Sequence, residues 1–365
     1  MKILFINTIN LEKNGISTFI INNAKVLSFN NDVTILAPNK VDSEIKENLR
    51  KLGIIIIQLP SRKKKLKSYF FNLVRIIKRK KYDIVHINGN STTMAIELLA
   101  AKIAGYGIRV THSHNTKTEH PTINKILKPM FNHYVDYRLA CSQEAGKWLY
   151  GNKNFTVINN GVNLENLKPK DIIRINIRKR LNIKSNEFLL ISIGYFNDQK
   201  NQEFIIQMLP FMDKSYKLLL IGNGTNFIRC KQLVTKLGLE KRVIFAGIQN
   251  NIADYLSASD IFLMPSRFEG FPFALIEAQA SGLSCIVSSK ITKKTNLTGN
   301  VIYLDITNFE LWANKIIKIS KNIDYNKRVR AIDSIQNQLS NKGYDQEENA
   351  KKLETLFEKY LNDSL

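Results

Sequence analysis

Cysteine is scarce in this chain: Cys141, Cys230 and Cys285 are odd in number and far apart. That pattern excludes a disulfide framework, and reduced, buried thiols point to the cytoplasm. Long apolar runs are absent as well, none approaching the roughly 18 residues that span a bilayer. The opening "MKILFINTINLEKNG" has a four-residue apolar run after Lys2, too short for a signal peptide, and reads as a first strand. No G-x-G-x-x-G follows a strand, which removes support for a dinucleotide dehydrogenase. Acidic residues are few: 31 Asp and Glu against 54 Lys and Arg leave a net charge of +23. Such a chain implies an anionic partner (nucleic acid, an anionic membrane surface or phosphorylated ligands) or simply a solvated basic surface.

What is present is a regular series of short apolar runs. At 365 residues, 44% of them hydrophobic, the chain predicts two domains of ordinary size. The first half carries runs at 2–7, 32–37, 54–59, 83–88, 109–114 and 137–142. The second half carries them at 188–194, 216–222, 242–247, 261–266, 284–289 and 300–305. Continuous apolar strands separated by helix-compatible stretches predict parallel sheets covered on both faces, with ligands beyond the carboxyl ends of the strands. The break falls in the polar, turn-rich "NNGVNLENLKPKD" (159–171), with Gly161 and Pro169. The expected domains are therefore 1–165 and 166–344, with a charged amphipathic helix over 345–365 packing back toward the first. Leu353, Leu356, Phe357, Tyr360 and Leu361 form its apolar face.

The segment "SRKKKLKSYFFNLVRIIKRKK" (61–81) holds ten Lys or Arg and no Asp or Glu, with Phe70, Leu73, Val74 and Ile77 at helical spacing. Cations flanking an apolar stripe suit an anionic leaflet, Arg62, Lys63, Lys64, Lys65, Lys67, Lys78, Arg79, Lys80 and Lys81 facing the membrane. The plainer reading packs the stripe on the sheet and leaves the lysines solvated. Nucleic acid is disfavoured, because no groove-reading motif or stacking-aromatic signature accompanies the charge.

A second stretch, "SRFEGFPFALIEAQASG" (266–282), sets Glu269 before a turn and Glu277 inside the helix that follows. Pro272 suits a first helical turn and Gly282 a C-terminus. The amides of Gly270 and Phe271 then sit where a helix N-terminus favours phosphate. Glu277, roughly 7 to 8 Å further along at 1.5 Å per residue, suits the hydroxyls of a ribose. Glu269 suits a sugar on the other flank. The spacing alone is unspecific, since two solvated glutamates beside a helix fit it equally.

The whole string is more specific and resembles the E-x7-E motif of glycosyltransferase family 4, retaining enzymes of the GT-B fold. The resemblance runs along most of the chain, through "HINGNSTTMAIELLAAKIAGYGIRVTHSHNT", "ACSQEAGKWLYG" and "VINNGVNLENLKP", similar to bacterial capsule and exopolysaccharide members. It continues through "IGYFNDQKNQEFII", "LLLIGNG" and "GIQNNIADYLSASDIFLMPS" of the donor-binding domain.

The fold that this resemblance implies is α/β: two doubly wound Rossmann-like domains facing a central cleft and closing on the donor, with 159–171 as one hinge. It implies that Glu269, Gly270 and Phe271 hold donor sugar and diphosphate, that Glu277 binds ribose, and that Lys200 neutralises the diphosphate. Gly222 and Gly224 let backbone approach the nucleotide, Ile248 borders the base, and Gly15 reaches phosphate or sugar in the first domain. His114, or His112 in an alternative register, contacts the donor sugar. The family's usual arginine is replaced by Tyr195, which donates one hydrogen bond and no positive charge. The implied reaction moves a sugar from a nucleotide-sugar, expected to be a UDP-sugar, to a lipid-linked or oligosaccharide acceptor with retention, by front-side attack. With no D-x-D and no Cys/His cluster at ligand spacing, it is expected to need no metal and no cofactor. Peripheral placement on the inner face of the plasma membrane, and no nucleic-acid partner, complete the expectation. The contrasting reading is a catalytically weakened protein of the same fold acting as a membrane scaffold or nucleotide-sugar-binding partner.

Overall fold

The computed structural model describes residues 1–12, 14–116, 118, 120–269 and 271–363. The chain forms two compact units, one of residues 1–161 with 343–365, the other of residues 162–342.

The first unit is built on seven parallel strands, β1 (Lys2–Asn7), β2 (Asp32–Pro38), β3 (Ile55–Leu59), β4 (Ile84–Gly89), β5 (Ile108–Ser113), β6 (Tyr137–Ala140) and β7 (Thr156–Val157). Their order is β3-β2-β1-β4-β5-β6-β7, so the winding reverses between β1 and β4. Strands 1, 2 and 4 are buried almost throughout, because helices cover both faces and no polar alternation is possible. Strand β7 was not expected from the sequence: two residues carry no periodicity to detect.

The Leu66–Lys80 helix covers one face, and here the structure settles what the apolar stripe does. Leu73 and Ile77 are fully buried, Phe70 and Val74 partly so, in a core with Leu4, Ile6, Val85, Ile87 and Leu98. The stripe is therefore core rather than an inserting face. The apolar side chains that the basic segment does expose are Leu66 (44%) and Phe71 (66%). Arg62 also departs from its expected membrane-facing place. Its Nε lies 2.6 Å from Glu97 Oε1 and its Nη2 donates to Thr93 O at 2.6 Å, while Tyr69 donates to the same carboxylate at 2.9 Å. A fully buried Glu97 requires that compensation, so Arg62 turns inward. Lys63, Lys64, Lys65, Lys67, Lys78, Arg79, Lys80 and Lys81 remain exposed.

The Gln346–Asn362 helix belongs to this unit. Asp345 caps it, accepting from the amides of Glu347 (2.8 Å) and Glu348 (3.0 Å). Its buried face is Leu353, Phe357 and Tyr360, with Tyr360 stacked on Tyr137 at 3.6 Å between ring centroids.

The second unit has six parallel strands, β8 (Phe188–Ile193), β9 (Tyr216–Ile221), β10 (Val243–Gly247), β11 (Ile261–Met264), β12 (Ser284–Ser288) and β13 (Val301–Leu304). Their order is β10-β9-β8-β11-β12-β13, with the reversal between β8 and β11. Its core gathers Leu190, Leu218, Leu263 and Ile286 from the strands with Phe204, Trp312 and Ile316 from the helices.

Candidate active site

In an open α/β sheet, ligands settle at the carboxyl edge where the winding reverses. In the second unit that point lies between β8 and β11, and the segments leaving these strands carry most of the residues singled out from the sequence. After β8 the chain passes Gly194 (φ +157°) and Tyr195, 56% exposed, before Phe196 plugs the core at 0%. A tight turn follows. Asn197 Oδ1 accepts from the Lys200 amide at 2.9 Å, and Asn201 takes the left-handed conformation (φ +55°) that asparagine tolerates. Asn201 Nδ2 then reaches Pro265 O, at the exit of β11, at 3.2 Å.

That bond brings the two loops alongside each other. Arg267 N donates to Gln199 O at 2.8 Å, and Gln199 Nε2 donates to Phe268 O at 3.0 Å. The Lys200 stem crosses Gly194, where a Cβ would stand 3.2 Å from Lys200 Cδ. The outcome is an ion pair, Lys200 Nζ to Glu269 Oε1 at 2.6 Å, with the side chains 20% and 9% exposed. Among the described residues Lys200 is the charged partner of Glu269 Oε1, and that oxygen has no further hydrogen-bond partner there.

Beyond the corner, Pro272 is the N-cap (φ −75°, ψ 122°), one residue outside the first turn expected for it, and the helix runs Phe273–Ala280. Gly282 follows in the left-handed region (φ +73°), where a side chain would be strained. Glu277 sits one turn into the helix, half-buried, and burial pushes its carboxyl up to about 7. Phe271 is half-buried at the turn. Gly270 lies outside the described residues.

One positioning residue escaped the sequence reading. Gln279, fully buried, donates to Thr295 O at 2.9 Å and accepts from the Leu297 amide at 2.9 Å. It fixes the helix that carries Glu277. A single amide in an apolar helix gives no sign of this before the fold is known.

Gly222 and Gly224, expected to let backbone approach the nucleotide, also let two loops of the protein meet. A Cβ at Gly222 (φ +133°) would fall 2.0 Å from Gly194 O, and one at Gly224 2.3 Å from Phe196 O. These glycines let the loop after β9 close on the loop after β8, so their side-chain space is filled by protein. Ile248, just past β10, is 58% exposed on the same edge.

In the first unit, Gly15 is the exposed first residue of the Gly15–Leu27 helix, entered through the Asn14 cap on Ser17 N at 2.9 Å. Of the two candidate histidines, His112 is fully buried. His114 lies at the exit of β5, half-buried, with Nε2 2.9 Å from Asn88 Oδ1 and its ring stacked on His112 at 4.4 Å. Burial lowers its imidazole to about 3, so it is neutral at physiological pH. Among the described residues no group of three or more His, Cys, Asp or Glu is placed to hold a metal.

Residues 13–166 match the family model described as Glycosyltransferase Family 4, and residues 173–338 match Glycosyl transferases group 1. The chain belongs to glycosyltransferase family 4. Relatives of this family 4 member include the putative glycosyltransferase EpsF of Bacillus subtilis, 29% identical over 253 residues, 65% of this chain and 66% of that protein. A second is the UDP-Gal:alpha-D-GlcNAc-diphosphoundecaprenol alpha-1,3-galactosyltransferase of Escherichia coli, 29% identical over 63% of this chain and 62% of that enzyme. The matched stretches thus span just under two thirds of these two relatives. The capsular polysaccharide biosynthesis glycosyltransferase CapH of Staphylococcus aureus is 28% identical over 83% of this chain and 87% of its own. Among solved structures, HepE of Anabaena in complex with UDP and glucose superposes with a TM-score of 0.81 at 21% identity, over 98% of this chain and 99% of that one. With two parallel-sheet α/β units, that likeness makes the fold GT-B.

Proposed function

We propose that this family 4 glycosyltransferase moves a sugar from a nucleotide-sugar, a UDP-sugar, to a lipid-linked saccharide acceptor in polysaccharide assembly, with retention at the anomeric carbon. The observation that carries the reading is the Lys200–Glu269 ion pair at the point where the second sheet reverses, on the helix side of which stands Glu277. A cation there takes a diphosphate, and the two carboxylates take hydroxyl-rich neighbours, the donor sugar at Glu269 and the ribose at Glu277. In the reaction the bond from the anomeric carbon to the diphosphate oxygen breaks. The acceptor oxygen bonds the same face of that carbon and gives its proton to the departing diphosphate. Lys200 stabilises the charge that develops on the leaving group, the kind of preorganised term that dominates such catalysis. Contact with the donor sugar is the role proposed for neutral His114.

The donor and acceptor classes are supported by the E. coli relative, whose name specifies UDP-Gal and a diphosphoundecaprenol-linked acceptor, and by the UDP held in HepE. A membrane-borne acceptor also suits the nine exposed cations of 63–81, Arg75 among them, for which we propose an anionic inner leaflet as partner and a cytoplasmic, peripheral location.

The test is thermal stability with UDP, GDP and ADP, on the wild type and on Glu277→Ala. A ligand at a hundredfold excess over Kd adds about 2.7 kcal/mol. Stabilisation by UDP alone, lost in the variant, supports the donor site. No stabilisation by any of the three would remove it.

A further inference from the structure

The proposed donor site has a charge deficit at its diphosphate end. Tyr195 brings no charge where the family resemblance implies arginine, and the Lys200 ammonium is already matched by Glu269 at 2.6 Å. A diphosphate bound there would add at least two negative charges to a locally neutral pair. The loops that form the site hold one further cation, Arg267. Its amide donates to Gln199 O at 2.8 Å and its Nε donates to Asp198 O at 3.1 Å, so its stem is tied to the same turn that presents Lys200. Its two terminal nitrogens have no hydrogen-bond or carboxylate partner among the described residues, and the side chain is exposed. The nearby Asp198 carboxylate is engaged elsewhere, accepting from Asn226 Nδ2 at 2.8 Å. A guanidinium anchored through Nε leaves its two terminal N–H groups as a fork suited to two phosphate oxygens.

We infer that Arg267 is a diphosphate-binding residue that supplies, from the β11 loop, the positive charge that Tyr195 does not supply from the β8 loop. The assignment rests on the donor-site reading above and makes the Tyr195 substitution compatible with turnover: the cation has moved from one loop to its hydrogen-bonded neighbour. It also gives Arg267 a reason to be held by its Nε alone, with the remaining donors directed to a ligand.

The experiment measures UDP and uridine affinities by calorimetry and competition for the wild type, Arg267→Gln, Tyr195→Arg and the Arg267→Gln/Tyr195→Arg double variant. Arg267→Gln should weaken UDP by about 10- to 100-fold, the range of a charge-assisted hydrogen bond or two, and leave uridine within twofold. Returning an arginine at position 195 should restore UDP binding to the double variant within about threefold. Unchanged UDP affinity in Arg267→Gln overturns the assignment alone, as does an equal loss of UDP and uridine, which marks a structural role. Absence of UDP binding by the wild type overturns the donor-site reading and this assignment with it.

Discussion

His86 and His112 lie side by side in the first unit, ring centroids 5.5 Å apart, and none of their four ring nitrogens has a hydrogen-bond partner among the described residues. Phe5, Phe19, Phe357 and His114 surround them. Burial lowers His86 to about 3 and His112 well below 6.5. The unfolded chain therefore binds protons that the folded one refuses, and stability falls as pH drops below the ordinary imidazole value near 6.5. Two such histidines remove about 2–3 kcal/mol between pH 7 and 5.5. Melting temperature should fall over that range, and less so in a His86→Phe/His112→Phe variant. A pH-independent melting temperature in the wild type would refute the account.

Glu277 carries the opposite sign. Its carboxyl, raised to about 7 by burial, costs stability once it ionises, a cost that grows as pH rises from the ordinary 4.5 to 7 and then levels off. Glu277→Gln should therefore melt a few °C higher than wild type at pH 8 and equally at pH 4. The same substitution should abolish nucleotide binding, whereas wild-type affinity should rise about tenfold per pH unit up to 7, as the carboxylate forms. Flat affinity across pH 6 to 8 would show that Glu277 does not bind ribose in its ionised form.

The Lys200–Glu269 pair should matter more for turnover than for folding. Each partner is partly solvated, so Lys200→Ala should lower stability by about 1–2 kcal/mol. Its turnover should fall about 100- to 1,000-fold, the range for loss of one charge-stabilising donor. Glu269→Gln should keep the fold and lose transfer. Transfer within twofold of wild type in either variant would take the pair out of the site.

Gly222→Ala should be costly although it adds one methyl group. The Cβ would fall 2.0 Å from Gly194 O, and φ +133° is strained for any side chain. We expect a loss of about 2–4 kcal/mol in denaturant unfolding together with loss of nucleotide binding, since the loop bearing Lys200 must move. A variant as stable as wild type would mean that the two loops are not in contact.

Exposed and buried cations of the basic segment should separate cleanly. Neutralising Lys78, Arg79, Lys80 and Lys81 should weaken partition onto anionic vesicles by about 100- to 1,000-fold, at about 1 kcal/mol each, with the melting temperature unchanged. Arg62→Ala should leave vesicle binding alone and destabilise the first unit by about 3 kcal/mol, because the buried Glu97 loses its counter-charge and keeps only the Tyr69 hydroxyl. The reverse pattern would assign the two roles the wrong way round.

The succession of apolar runs was enough to reveal twelve of the thirteen strands among the described residues and their parallel pairing. Strand burial and helix periodicity are local properties, and a run such as "FLLISI" has one stable place in a covered sheet. The string from Ser266 to Gly282 is continuous in the chain, so its family resemblance was legible there.

Contacts between segments distant in sequence were not. Whether the Phe70–Ile77 stripe faced lipid or sheet depended on what lay beneath it, and Leu4, Val85 and Leu98 supply that core. Arg62 was one basic residue among ten until the fold set it against Glu97, thirty-five positions away. Gly222 and Gly224 were read as glycines that let backbone approach a ligand; a glycine records only that something comes close, and the loop after β8 is one such neighbour that the sequence did not show. Lys200 and Glu269 lie 69 positions apart, and their 2.6 Å approach follows from β8 and β11 being neighbours in the sheet. Strand order is a global choice, and no local pattern encodes it.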